Sequence, residues 1–166
     1  MKTLVLGGVK SGKSRFALEK AGLYPAPRTF VATAEAFDDE MEAKIAAHRA
    51  ERGPGWQTVE APVELPRALR ELPPSSVVLL DCLTVWLGNL LFHGKDLEAY
   101  VAELLRVIRD FSAPLFMVSN EIGLGVLPGS AETRRYAEAL GRLNREVARL
   151  CDEVYLLVAG CPLRLK

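Results

Sequence analysis

Cysteine is scarce in this 166-residue chain: Cys82, Cys151 and Cys161 are the only three, and no two have C-x-x-C spacing. An odd count without paired spacing argues against a disulfide framework and against a zinc site. Buried free thiols in a reducing compartment are the expected state. Net charge is absent too. Lysine plus arginine and aspartate plus glutamate stand at 21 each, so no global field draws the chain to nucleic acid or to an anionic membrane. No apolar run approaches the ~18 residues of a membrane span. The N-terminus enters patterned sequence at once, which leaves no room for a cleavable signal and makes the cytoplasm the expected location. Internal repeats and low-complexity segments are missing as well. What is present, 49% hydrophobic and 25% charged residues, suits one soluble globular domain spanning 1–166.

The chain is organised around its first stretch, MKTLVLGGVKSGKSR. A short apolar run, Thr3 to Leu6, stops at Gly7-Gly8, and the spacing Gly7-x4-Gly12-Lys13-Ser14 is that of a phosphate loop. Glycines let the backbone turn through conformations a Cβ would forbid, so successive N–H groups converge on one anion. A helix starting near Lys13 would aim its positive dipole end at the same point. Lys13 would then reach the β- and γ-phosphates, and the Ser14 hydroxyl would bind Mg²⁺.

Beyond this loop, strand-like and helical patterns alternate. Strands are expected at 28–33, 56–60, 77–81, 115–118 and 154–158, the last closing the sheet. Helices are expected at 16–21, 38–52, 65–72, 83–91, 97–111 and 132–150. Such alternation implies an α/β fold with a mostly parallel central sheet and helices on both faces. The end of the second strand, Ala32-Thr33-Ala34, is expected beside the phosphate loop. The glycine- and proline-rich stretch 123–129 reads as an active-site loop.

Several side chains carry candidate chemistry. Val77-Val78-Leu79-Leu80-Asp81 is a continuous apolar run ending in an acid. Asp81 is either a contributor to a Mg²⁺ shell or the cap of the helix that follows. His48 and His93 are the only histidines. His48 shares a helix side with Met41 and Ile45, which fits a core or interface position. Its neighbours Arg49 and Arg52 fit a second role, since an imidazole beside guanidinium groups suits a nucleophile toward phosphorus. His93, before Gly94, reads as a surface turn. Arg134, Arg135, Arg142, Arg145 and Arg149 interleave with Glu132, Glu138 and Glu146 as a solvated helix face. Asn120 and Glu121, at a strand end, are ligand candidates. Asn89, inside an apolar stretch, needs a partner if buried.

Together these motifs resemble the bifunctional adenosylcobinamide kinase/adenosylcobinamide-phosphate guanylyltransferase family of cobalamin synthesis. The matching stretches are 7–14 (GGVKSGKS), 31–62, 77–91, 118–128 and 139–163, with A-H-R-x-x-R followed by W-x-T-V-E the most specific. The resemblance implies a P-loop NTPase fold of RecA-like type and two reactions. In one, a nucleoside triphosphate phosphorylates adenosylcobinamide. In the other, GTP gives GMP to a histidine, and adenosylcobinamide phosphate then takes it to become adenosylcobinamide-GDP. By motif, His48 is the guanylylated histidine. Gly7, Gly8, Val9, Lys10, Ser11, Gly12, Lys13 and Ser14 hold the triphosphate, and Ala32, Thr33 and Ala34 line its site. Arg49, Ala50, Glu51, Arg52, Glu60 and Asp81 complete the nucleotide contacts, with Ser14 and Asp81 at the Mg²⁺. ATP and GTP are implied as substrates, and a homotrimer as the assembly. Two positions, and the region Arg134-Arg135-Tyr136, depart from the family pattern. Lys10 replaces an arginine, keeping the charge without the bidentate fork, and Ala61 replaces a second acid after Glu60.

Two other functions fit parts of the pattern. A plain small-molecule kinase would leave His48 structural. A GTP-binding regulatory module would need a guanine-reading N-K-x-D element, and the sequence has none.

Overall fold

Apolar residues alternate between two faces along each buried strand, and that alternation sets the layers. The computed structural model of the chain describes residues 1–36, 39–125 and 128–166. Along its second helix the side chains of Glu40, Lys44, Ala47, His48, Arg49 and Glu51 lie outside the description. In order the elements are β1 (Lys2–Gly7), α1 (Lys13–Ala21), β2 (Arg28–Ala32), α2 (Asp39–Arg52), β3 (Trp56–Glu60), α3 (Leu65–Arg70) and β4 (Val77–Asp81). There follow α4 (Leu83–Phe92), α5 (Leu97–Asp110), β5 (Leu115–Asn120), α6 (Ala131–Leu150), β6 (Glu153–Val158) and β7 (Cys161–Arg164).

One seven-stranded sheet runs β3-β2-β4-β5-β1-β6-β7. Every pairing among β1 to β6 is parallel, and β7 runs antiparallel to β6. On one face Leu4, Leu6, Val78, Leu80, Leu115 and Met117 pack under α3, α4, α5 and α6, with Trp86 fully buried among them. On the other, Val5, Val77, Leu79, Phe116 and Val118 meet Ala17 and Ala21 of α1. Burial on both faces is why these strands read as unbroken apolar runs.

Helix starts follow local chemistry. Asp96 accepts the N–H of Ala99 at 3.0 Å to cap α5, and Ser130 accepts that of Thr133 at 3.1 Å to cap α6. Glu98 and Glu132 add negative charge to the first turns. Helix α1 differs, because Gly12 at its N-cap has no side chain to fill the role.

Two expectations change, and the strand order adds a detail to a third. β6 does not close the sheet, since a hairpin through Ala159 and Gly160 adds β7 at the edge. Cys82 and Cys151 are buried free thiols as expected, but Cys161, on β7, is exposed. β2 is not the neighbour of β1, because β4 and β5 lie between them. The residues after β2 therefore meet the phosphate loop across a cavity rather than along a shared strand edge. The expected helix start at Asp38 lies outside the described residues.

Candidate active site

The turn from β1 into α1 has the geometry of an anion cradle. Lys10 sits at φ 57° and Gly12 at φ 90°, so the chain passes twice through the left-handed region. Gly7 is required by space, since a Cβ there would overlap Ser11 Oγ and come within 3.0 Å of the Leu157 carbonyl oxygen. The Ser11 carbonyl accepts the N–H of Gly160 at 3.0 Å, so the β6–β7 hairpin braces the loop from below. Lys13 Nζ donates to the Gly8 carbonyl at 3.1 Å, which folds the ammonium back over the loop. With no side-chain cap on α1, its first N–H groups stay available to an anion.

A cavity of about 890 Å³ opens above this turn at the carboxyl edge of the sheet, within the size range of small-molecule sites. Of the residues expected in the site, Val9 through Ser14, Ala32, Thr33, Ala34, Arg52, Glu60 and Asp81 line it. Gly7 and Gly8 form the base of the loop. Ala50 is exposed on α2 and does not line the cavity. The side chains of His48, Arg49 and Glu51 lie outside the described residues. Met41 and Ile45, seven and three residues before position 48 in the chain, line the cavity.

Asp81 ends β4, and its alternative role falls to its neighbour. Cys82 is the N-cap of α4, its Sγ accepting the Val85 N–H at 3.5 Å. Burial, with the Asp81 charge beside it, pushes the Cys82 thiol up to about 11. Thr33 ties this corner to β2, and Asn89 locks Thr33 in turn. The Asn89 amide donates to the carbonyls of Thr33 at 2.7 Å and Pro62 at 2.9 Å. A buried asparagine amid leucines thus joins the segments after β2 and β3. On the opposite wall the Arg52 guanidinium stacks 3.8 Å from the Phe30 ring centroid and donates to Thr58 Oγ1 at 3.3 Å. That contact fixes a cation at the cavity rim.

Asn120 lines the cavity, as its place at a strand end implied, and Glu121 does not. Glu121 Oε1 instead accepts the Gly123 N–H at 2.9 Å. Of the stretch 123–129, Val126 and Leu127 lie outside the described residues, and none of the others lines the cavity. His93 caps the end of α4 and pairs with Glu35 at 3.0 Å. The arginines of α6 mostly behave as a solvated face, with Arg149 on Glu146 at 2.8 Å. Arg134 turns back instead to the Pro128 and Gly129 carbonyls. Sequence reasoning missed Phe30, Thr58 and Val85 in the cavity wall. It also missed a polar chain through Thr84, Ser119, Tyr136 and Asn144. Asn144 carried a signal, being a buried amide on the apolar stripe of Leu140, Leu143 and Val147. A second cavity, about 560 Å³, lies between α3 and α5 at the other edge of the sheet and holds none of the expected site residues.

Comparison with known proteins places these features in context. Residues 3–165 match the family described as cobinamide kinase / cobinamide phosphate guanyltransferase. The bifunctional adenosylcobalamin biosynthesis protein CobP of Pseudomonas aeruginosa is 41% identical, the match covering 100% of this chain and 98% of that protein. The bifunctional adenosylcobalamin biosynthesis protein CobU of Escherichia coli is 34% identical, with 100% of both chains covered. Among solved structures, an ATPase of the type III secretion system of pathogenic bacteria aligns with 95% of this chain and about half (51%) of its own, at TM-score 0.54 and 11% identity. That likeness is one of fold, and it fits the RecA-like P-loop architecture.

Proposed function

The chain belongs to the cobinamide kinase / cobinamide phosphate guanyltransferase family, and from that premise we propose that a single cavity serves both reactions. In the kinase step, ATP or GTP phosphorylates the aminopropanol hydroxyl of adenosylcobinamide. In the transfer step, a ring nitrogen of His48 attacks the α-phosphorus of GTP, and the P–O bond to pyrophosphate breaks. A phosphate oxygen of adenosylcobinamide phosphate then attacks the same phosphorus. The P–N bond breaks, His48 is restored and adenosylcobinamide-GDP leaves. A phosphoramidate keeps the transfer potential of the GMP between the two half-reactions.

The observation that carries this proposal is the shared wall. The phosphate loop and Met41 and Ile45 of α2 line one cavity, and position 48 comes three residues after Ile45 in the same helix. In this assignment the loop N–H groups from Gly7 to Ser14 grip the triphosphate, with Lys13 neutralising its far end. Ala32, Thr33, Ala34 and Glu60 border the nucleoside side, and Arg49, Glu51 and Arg52 continue the site along α2, without Ala50. Arg52, held by Phe30 and Thr58, would stabilise charge building on phosphoryl oxygens.

Mg²⁺ fits the donors present. Ser14 and Asp81 offer one hydroxyl and one carboxylate to the same cavity, the sparse oxygen set this ion accepts when phosphates and water complete its shell. Among the described residues no trio of histidine, cysteine or acidic side chains forms a rival metal site. The ion would offset negative charge on the phosphates. The family resemblance further implies a homotrimer, and chain length and balanced charge support single-domain subunits acting on small molecules rather than nucleic acid. No helix among the described residues is long and apolar enough to cross a membrane.

Incubation with α-labelled GTP tests the covalent step. Acid-labile, alkali-stable label should map to the peptide bearing His48 and vanish in His48→Ala, while at least part of the kinase activity survives. Guanylyl transfer that persists in His48→Ala would overturn the mechanism.

A further inference from the structure

β5 lies between β4 and β1, so its carboxyl end falls between Asp81 and the phosphate loop. In register, Val118 sits opposite Asp81 and Asn120 opposite Gly7. Asn120 is the last residue of this strand, and it lines the cavity.

Its backbone is fully committed. The Asn120 N–H donates to Thr84 Oγ1 at 2.7 Å, and its carbonyl accepts Asn144 Nδ2 at 3.0 Å. Asn144 is held by Ser119, whose hydroxyl donates to Asn144 Oδ1 at 2.6 Å. Thr84 is held by Tyr136, whose hydroxyl donates to the Thr84 carbonyl at 2.7 Å. Thr84 Oγ1 also faces Asn120 Oδ1 at 3.5 Å, so the acceptor end of the amide is turned toward α4. Among the described residues no hydrogen bond takes up Asn120 Nδ2. On a residue that lines the cavity, a neutral amide whose oxygen faces α4 and whose nitrogen has no protein partner among the described residues is suited to an anionic oxygen. A backbone role alone would not require an amide here, because the strand's main chain already makes the network bonds.

We infer that Asn120 Nδ2 donates to the terminal phosphate of the bound triphosphate, and that Thr84, Tyr136 and Asn144 are positioning residues for it. This rests on the nucleotide assignment above. The loop and the α1 N-terminus surround the inner phosphates, which leaves the terminal group nearest the gap between Lys13 and Asp81, where β5 ends. Being uncharged, Asn120 adds attraction there without competing with Asp81 for the metal.

Titration calorimetry with GTP and GDP, each with Mg²⁺, tests this. The Asn120→Ala variant should bind GTP about tenfold more weakly, the worth of one hydrogen bond to a charged group, with GDP affinity nearly unchanged. Asn120→Asp, of equal shape, should lose more GTP affinity than alanine and again spare GDP. Thr84→Val should lose part of the same GTP-over-GDP preference, and Thr84→Ser should restore it. A structural defect would weaken both nucleotides alike, and equal losses in Asn120→Ala and Asn120→Asp, or none, would overturn the inference. The aspartate variant decides the matter if the alanine variant folds poorly. A parent chain that binds no GTP, or a Lys13→Ala variant that binds it normally, would instead refute the nucleotide assignment and this inference with it.

Discussion

One hydroxyl of Thr33 holds both backbone polar groups of Cys82. Thr33 Oγ1 donates to the Cys82 carbonyl at 2.8 Å and accepts the Cys82 N–H at 2.8 Å. The Thr33 N–H completes the tie by donating to the Asp81 carbonyl at 3.2 Å. The ends of β2 and β4 therefore form one unit, and the place of the Asp81 carboxylate relative to Ala32 and Ala34 depends on it.

Thr33→Val keeps the shape and removes the hydroxyl, leaving the buried Cys82 N–H without its partner and the Cys82 carbonyl with only the Trp86 N–H at 3.2 Å. Unfolding in urea should show a loss of about 1–3 kcal/mol, and GTP binding should need more Mg²⁺ to saturate. Thr33→Ser should retain most of both properties. A valine variant matching the parent in stability and in Mg²⁺ dependence would mean the tie does not position Asp81.

The base of the loop allows a test by coupling. A methyl at Gly7 would collide with Ser11 Oγ and crowd Leu157, so Gly7→Ala should destabilise by about 1–3 kcal/mol and impair triphosphate binding. Ser11 Oγ is buried without a hydrogen-bond partner among the described residues, so Ser11→Ala should cost little. In the double variant the oxygen is gone and part of the collision with it. A double-mutant cycle should then show Gly7→Ala costing about 1 kcal/mol less on the alanine background. Strict additivity would show that the clash is relieved elsewhere.

Much of this architecture was legible because the loop announces itself and buried strands write continuous apolar runs. β7 was not. It is short and exposed along its length and contains Pro162, so neither burial nor alternation marks it. Asn89 advertised a need for partners, yet its acceptors are carbonyls 56 and 27 residues away, and no local spacing encodes them. Periodicity gave α2 and its Met41–Ile45 stripe, whereas the stacking of Arg52 on Phe30 depends on how α2 lies against β2. Thr84 and Tyr136 bond mainly through tertiary packing of α4, β5 and α6, which a single sequence does not display.

Alkaline titration should destabilise the fold in a defined window. Burial first, with the Asp81 charge second, raises the Cys82 thiol to about 11, and burial against the opposing pull of the Lys166 charge raises the Cys151 thiol to about 12, from an ordinary 9.0. Tyr136 rises by burial from 10.0 to about 12. Each group stays protonated in the native state where the unfolded chain has begun to lose its proton, so the unfolded state binds fewer protons and stability falls as pH rises. The contribution is intact below about pH 9 and drains away between pH 9 and 12. Urea midpoints measured from pH 8 to 11 should decline, with a shallower slope in Cys151→Ala. Iodoacetamide at pH 8 should label exposed Cys161 ahead of the two buried thiols, and early modification of Cys82 would contradict the structure.

Lys10 sets stability against binding. At φ 57° a side chain costs roughly 1 kcal/mol that glycine would not incur, though glycine gives back a similar amount by freeing the unfolded chain. Lys10→Gly should therefore leave the melting temperature near that of the parent. GTP affinity should fall several-fold, most visibly at low salt, because a cation on the rim of the phosphate cradle is lost. Lys10→Arg keeps both the strain and the charge and adds a second parallel donor, so its affinity should equal or exceed that of lysine. Calorimetric titration at two ionic strengths, beside thermal melts, separates the outcomes. If Lys10→Gly bound GTP as well as the parent at both salts, the side chain would have no part in the site, and its left-handed backbone would be a feature of the loop's folding alone.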